Sequence, residues 1–261
     1  MHPYFDTPRP HLFGHRGASS EAPENTVPAF ARALERGVPY LELDCHATRD
    51  GEIVVLHDAE LARTTDGQGP VAEVSFAELE RLDAGYRFCR DGQTFPFRGR
   101  GVRVPRLAEV LKTFPGVCLN VEVKQVEPPI AEQVVKLVRR ANATRRVLLA
   151  AEEEPILASI VALDPGTALG SSTADVVEFV KATAESRLAS FVPRGHALQI
   201  PPFAFGRPLV TRELVSASHE LGLFVHVWTI NDAPEMRRLL ALGVDGLMSD
   251  DPALLVATAQ S

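Results

Sequence analysis

"LELDCHATRDGEIVVLHD", residues 41–58, places Glu42, Asp44, His57 and Asp58 in runs that otherwise have the apolar, β-branched character of buried strand. Side chains alternate faces along a strand, so Glu42 and Asp44 point one way while Leu41, Leu43 and Cys45 point the other. Asp50-Gly51 is a tight-turn signal, and it predicts that the stretch folds back as a hairpin. Around it, short apolar runs alternate with helical stretches: "HLFGHRG", "PYLELDCH", "EIVVLHD", "VCLNVEVK", "RVLLAAE", "TALGSS", "HALQIPP", "LFVHVWTI" and "VDGLMSDD". This alternation favours a parallel α/β architecture over a sandwich. A (β/α)8 barrel needs one strand fewer than these candidates, and the hairpin absorbs the extra one, so the expected fold is a distorted TIM barrel.

Punctuation between the strands supports the plan. Asn25 is placed to cap a helix running through Arg36, with Pro28 in its first turn and Gly37 as its stop. Ser75 and Glu78 have capping-box spacing, Thr211 opens a helix ended by Gly222, and Asp232 opens one ended by Gly243. Residues from about 59 to 104, with "TTDGQGP" and "RDGQTFPFRGRG", break the alternation and read as a small insertion after the third strand candidate. The expected organisation is one barrel domain over residues 1–261 carrying that insertion.

With 261 residues, 45% hydrophobic and 23% charged, the chain has the composition of a globular protein. A net charge of −7 argues against a general nucleic-acid or membrane-surface binder, so any anion site must be local, and no stable membrane association is expected. Cys45, Cys89 and Cys118 are an odd set without metal-site spacing, and "MHPYFDTPRPHLFGHRG" has no basic flank leading into an apolar core. A reducing cytoplasm is the expected compartment.

In "LNVEVK" the face arithmetic sets Asn120, Glu122 and Lys124 together, opposite Val121 and Val123. A lone strand-end carboxylate is as readily explained by an ion pair with Arg or Lys. Three acids on two strands, Glu42, Asp44 and Glu122, are costly to bury without a compensating cation, and an all-oxygen set favours one divalent Mg2+ or Ca2+ over zinc. His15 and His57 close two strands beside these acids, where a pair can serve as base and acid. Arg16 can clamp an oxyanion with two hydrogen bonds and Lys124 can act as a point charge, which suits a phosphate diester.

Taken in order, "HRGASSEAPENT", "ELD", "TRDG", "VVLHD", "NVEVK", "VHVWTIND" and "GVDGLMSDDP" resemble the glycerophosphodiester phosphodiesterases from about Leu12 to Pro252. The resemblance implies a TIM barrel with its site at the C-terminal mouth and metal ligands at Glu42, Asp44 and Glu122. It also implies catalytic histidines at His15 and His57, and phosphate contacts from Arg16 and Lys124. Trp228 matches an aromatic wall over the glycerol moiety; by itself it reads as core. Asp58 is placed to orient His57 or the substrate. The implied reaction yields sn-glycerol 3-phosphate and an alcohol such as choline or ethanolamine from a small glycerophosphodiester, through a cyclic phosphate. His46 carries no assigned role, and His226, on the face of Trp228, reads as a satisfied structural histidine.

Three other readings compete. A Schiff-base lyase would use Lys124 but would not need three acids. A phospholipase D-like hydrolase of lysophospholipids or sphingolipids would need an apolar rim, which "FVPRGHALQIPPFAFG" could supply; Phe203 and Phe205 are expected instead to pack on the barrel. A non-catalytic barrel would have lost an acid or a histidine.

Overall fold

The computed structural model describes residues 1–261. In chain order the strands and helices are β1 (His11–Gly14), α1 (Val27–Glu35), β2 (Tyr40–Ala47), β3 (Ile53–Val55), α2 (Phe76–Leu79), α3 (Leu107–Thr113), β4 (Cys118–Val123), α4 (Ala131–Arg140), β5 (Val147–Ala150) and α5 (Glu154–Ala162). There follow β6 (Ala168–Leu169), α6 (Thr173–Ala184), β7 (Ala197–Ile200), β8 (Phe203–Ala204), β9 (Arg207–Pro208), α7 (Arg212–Glu220), β10 (Phe224–Val227), α8 (Ala233–Leu242), β11 (Gly246–Ser249) and α9 (Pro252–Ala259). Eight parallel strands run in the order β6-β5-β4-β2-β1-β11-β10-β7, and β3 lies antiparallel on β2. The ring is nearly closed: between β6 and β7 a Gly170–Ala197 bridge, the His196 amide donating to the Leu169 carbonyl at 2.7 Å and the Leu169 amide donating to His196 Nδ1 at 3.1 Å complete it. This is the expected distorted TIM barrel.

The hairpin of the opening stretch forms as its turn signal predicts. Cys45, His46 and Ala47 pair with Val55, Val54 and Ile53. Gly51 takes φ +83°, while Thr48 Oγ1 donates to Asp50 Oδ1 at 2.6 Å. The Leu56 amide then donates to the Asp44 carbonyl at 3.0 Å, and His46 Nε2 donates to the His57 carbonyl at 3.0 Å. The extra strand thus folds His57 back beside the acids, and the role-less His46 fixes the return.

Side-chain alternation divides the core in two. Leu41, Leu43 and Cys45, with Val121 and Val123, belong to the large apolar layer between barrel and helices. Inside the barrel, Phe13, Tyr40, Leu148, Ala197 and Phe224 fill the floor, and the N-terminal turn Pro3–Phe5 plugs it from below, with Phe5 stacked on Phe224 at 4.0 Å between ring centres. His226 is in this floor, fully buried, its Nε2 3.2 Å from His11 Nδ1, and burial pushes its pKa down to about 3. It is therefore a neutral structural residue, but its Nδ1 is buried without a hydrogen-bond partner, so it is not the satisfied histidine expected from the sequence.

Capping follows the sequence with one correction. The Ser75–Glu78 box forms, Thr211 and Asp232 cap α7 and α8, and Gly243 ends α8 in the left-handed region. Helix α1, however, is capped by Thr26, whose hydroxyl accepts from the Ala29 amide; Asn25, at φ +58°, turns its side chain into the barrel instead. Residues 59–104 stand beside the mouth with a small core of their own, built on Leu61, Val71, Phe76, Leu79 and Val102, which joins the hairpin through Val54 and Leu56. No helix is long and apolar enough to cross a membrane.

At the seam, a Cβ on Gly195 would lie 2.4 Å from the Gly170 carbonyl oxygen. Gly195→Ala should therefore lower stability by about 1–3 kcal/mol through overpacking against backbone, read from urea denaturation. An unchanged midpoint would mean that the seam does not close there.

Candidate active site

Strand register brings the acids together. Glu42 lies opposite Asn120, and Asp44 opposite Glu122, on the paired strands β2 and β4. Carboxylate oxygens of Glu42, Asp44 and Glu122 all lie within 4.8 Å of one another. Glu42 and Asp44 are almost wholly buried. Burial first, then the neighbouring Asp44, pushes the Glu42 pKa up. Burial likewise raises Glu122, with Lys124 opposing it. A cluster that repels itself in this way fits a hard divalent cation offered oxygen ligands.

Cations and amides already offset part of the charge. The Arg16 amide donates to Glu42 Oε2 at 2.8 Å. Its guanidinium lies 3.2 Å from Asp44 Oδ2 and donates to Glu24 Oε1 at 3.0 Å. Lys124 Nζ lies 2.7 Å from Glu122 Oε1 and 3.5 Å from Asp44 Oδ1. Asn25 grips Asp44 twice: its amide group donates to Oδ2 at 2.9 Å, and its oxygen accepts from the Asp44 backbone at 3.3 Å. Its role is to hold Asp44 in place, which replaces the helix cap expected from the sequence.

Each histidine leans on a carboxylate. His15 Nδ1 is 2.7 Å from Asp250 Oδ1, and Asp250 also accepts from Ser19 at 2.8 Å and from Asn231 at 2.6 Å. Burial alone would lower the His15 pKa, but Asp250 and Glu42 outweigh it and raise it. The other ring nitrogen, Nε2, lies 3.9 Å from Glu42 Oε2, facing the acids. His57 Nδ1 is 2.6 Å from Asp58 Oδ1. Asp58 pairs in turn with Arg63, and although burial opposes it, Arg63 and His57 hold its pKa down to about 2. Arg63 bridges onward to both oxygens of Glu24 at 2.7 Å.

One cavity at the C-terminal mouth is lined by His15, Arg16, Glu42, His57, Glu122, Lys124 and Trp228. Asp44 lies just beneath it and Asp58 behind His57. The same wall contains Asn120, Glu152, Ser171 and Gln199, of which only Asn120 had been placed on the site face from the sequence. Gln199 donates to Asn120 at 3.0 Å and so ties β7 to β4 across the barrel. Glu152 and Ser171 follow the ends of β5 and β6, a position that by itself marks the mouth. Asp250, Asn231 and Arg63 were also missed, since they act through the histidines from distant parts of the chain. The expectation for the apolar segment is corrected: Phe205 is 104% exposed at the tip of the β8–β9 hairpin and Phe203 is 50% exposed, so neither is packed away.

Residues 15–254 match the glycerophosphoryl diester phosphodiesterase family. The chain belongs to that family. It is 32% identical over 250 residues to a glycerophosphodiester phosphodiesterase of Caldanaerobacter subterraneus, covering 94% of this chain and 96% of that one. Among solved structures it is similar to an Oleispira antarctica phosphodiesterase in complex with the product sn-glycerol-3-phosphate, at TM-score 0.76 and 28% identity, with 97% of each chain covered. It is also 28% identical over 268 residues to a human lysophospholipase D, covering 92% of this chain and 83% of that one.

The raised carboxylates have a consequence for stability. A group whose folded pKa is raised contributes stability that is fully present below its unfolded pKa and is lost as pH climbs through the folded value. Without a cation, the cluster should therefore weaken the fold progressively from the carboxylate range through neutral pH. A cation replaces those protons, so Mg2+ or Ca2+ should raise Tm more at about pH 8.5 than at about pH 5.5. A pH-independent increment in a thermal melt would contradict this.

Proposed function

We propose that this chain hydrolyses glycerophosphodiesters to sn-glycerol 3-phosphate and an alcohol, with a divalent cation, Mg2+ or Ca2+, held by Glu42, Asp44 and Glu122. The carrying observation is that their oxygens, within 4.8 Å of one another, share one mouth with two carboxylate-backed histidines and two cations. The metal would supply Lewis-acid stabilisation of charge on the phosphoryl oxygens.

This chain's own residues account for the rest. With Nδ1–H donating to Asp250 or Asp58, each imidazole presents Nε2 as acceptor when neutral and as donor when protonated. One histidine takes the proton from a hydroxyl of the glycerol moiety as that oxygen attacks phosphorus, and the other protonates the departing alcohol. An internal nucleophile gains from proximity, and the cyclic phosphate it forms is opened by water with the histidines exchanging roles. Arg16 and Lys124 hold the non-bridging oxygens, and Trp228 walls the glycerol side. The catalytic unit is the whole chain, barrel and excursion together, acting on a small soluble diester in a reducing cytoplasm, where Cys45, Cys89 and Cys118 stay free.

The half-exposed Phe203 and fully exposed Phe205, on a hairpin leaving the mouth end of β7, favour a second reading, phospholipase D-like hydrolysis of lysophospholipids. Comparing turnover of glycerophosphocholine and lysophosphatidylcholine separates the two.

EDTA should abolish glycerophosphocholine hydrolysis and added Mg2+ or Ca2+ should restore it; full activity in a metal-free sample contradicts the ligand set. His15→Ala and His57→Ala should each reduce kcat by roughly 10²-fold or more, the usual scale for a lost general acid or base. A near-normal rate in either removes that residue from the mechanism. Trp228→Ala should raise KM with a smaller effect on kcat, and unchanged values of both would return it to a packing role.

A further inference from the structure

A second pocket lies beside the first, between the loop that follows β1 and the excursion. Ser20, Glu24, Arg63, Thr64, Arg87 and Arg90 are in its wall. The two pockets share their supports. Glu24 hydrogen-bonds Arg16 of the first pocket and Arg63 of the second, and Arg63 pairs with Asp58 behind His57. Whatever fills the second pocket therefore lies against the backs of the groups that would handle the phosphodiester.

Its chemistry is that of an anion site. Arg63 is neutralised by Glu24 and Asp58, and the excursion's other ion pair joins Glu78 to Arg49. Arg87 and Arg90 are exposed and have no carboxylate partner. Glu21, whose charge Arg90 feels, is already bound twice by Arg36, at 2.6 and 2.9 Å. Asp91, next in sequence, spends its oxygens on the amides of Gln93 and Thr94 and on the Thr94 hydroxyl. Two hydroxyl oxygens, Ser20 Oγ and Thr64 Oγ1, are buried beside this pocket without any hydrogen-bond partner. Arg87 Nε donates only to the Thr65 carbonyl at 3.4 Å, and orphaned hydroxyls next to guanidiniums without a carboxylate are what a phosphate or carboxylate would satisfy. The wider setting agrees: residues 81–106 hold seven arginines and two aspartates, in a chain whose net charge is −7.

We propose that this pocket receives an anionic group, a phosphate monoester or diester or a carboxylate, carried on the alcohol side of the substrate, so that the enzyme prefers diesters whose leaving group is itself negatively charged. The inference rests on the phosphodiesterase reading of the adjoining site. Trp228 follows β10, whereas the excursion follows β3, which pairs with β2 three strands round the ring; with the glycerol against Trp228, the other ester arm would run toward the excursion. Arg87 and Arg90 would attract an anion there.

The test compares sn-glycero-3-phosphoglycerol carrying a terminal phosphate, sn-glycero-3-phosphoglycerol itself and glycerophosphocholine, with the wild type, an Arg87→Ala/Arg90→Ala variant and the charge-keeping Arg87→Lys/Arg90→Lys variant. The phosphate-bearing diester should have a kcat/KM higher than the neutral one by about tenfold or more in the wild type. That advantage should appear in KM, weaken with salt, vanish in the alanine variant and largely return in the lysine variant, with glycerophosphocholine turnover unchanged throughout. Equal kcat/KM for all three diesters overturns the proposal, whether or not inorganic phosphate binds the protein, and so does an equal loss on all three in the alanine variant. If the wild type cleaves none of the three, it is the phosphodiesterase reading that fails.

Discussion

Three carboxylates held within 4.8 Å of one another, two of them almost fully buried, are the constraint on which the rest of this molecule depends. Leaving such charges unpaired in a protein interior costs several kcal/mol each, so the fold must either neutralise them or give them a cation. It does part of each. Arg16, Lys124 and the Asn25 amide touch the cluster, while the raised pKa values of Glu42 and Glu122 record that the compensation is incomplete. The residual negative charge is what would attract a divalent ion.

Much of the irregular architecture follows from serving that cluster. A regular barrel would run from β2 straight into a helix; here the chain doubles back through β3 so that His57 arrives beside Asp44. The excursion then returns Arg63 to pin Asp58 and Glu24, tying the second histidine to Arg16. On the opposite side, Asp250 after β11 and Asn231 after β10 fix His15. Both histidines thus have the same construction from unrelated segments of chain, as the proposed exchange of roles requires.

The parts legible in the sequence were those governed by local periodicity. Strand alternation placed Glu42, Asp44 and Glu122 on one face, and the turn pair Asp50-Gly51 marked the hairpin, because both depend on near neighbours alone. Asn25 misled for the same reason: it precedes a helix and is a good capping residue, yet Thr26, one position on, does the capping, and the side chain of Asn25 is claimed by a tertiary partner 19 residues away. Asp250, Asn231 and Arg63 were invisible because they act only across the fold. Phe205 carries no local signal that separates a packed aromatic from one left in solvent.

Titration calorimetry of metal-stripped protein with Ca2+ and Mg2+ tests the central claim most directly. The account predicts one divalent ion bound per chain, with release of protons at neutral pH, and loss of that binding in a folded Glu42→Gln/Glu122→Gln variant. Binding that survives the double substitution, or a wild type that binds no divalent ion, would contradict it.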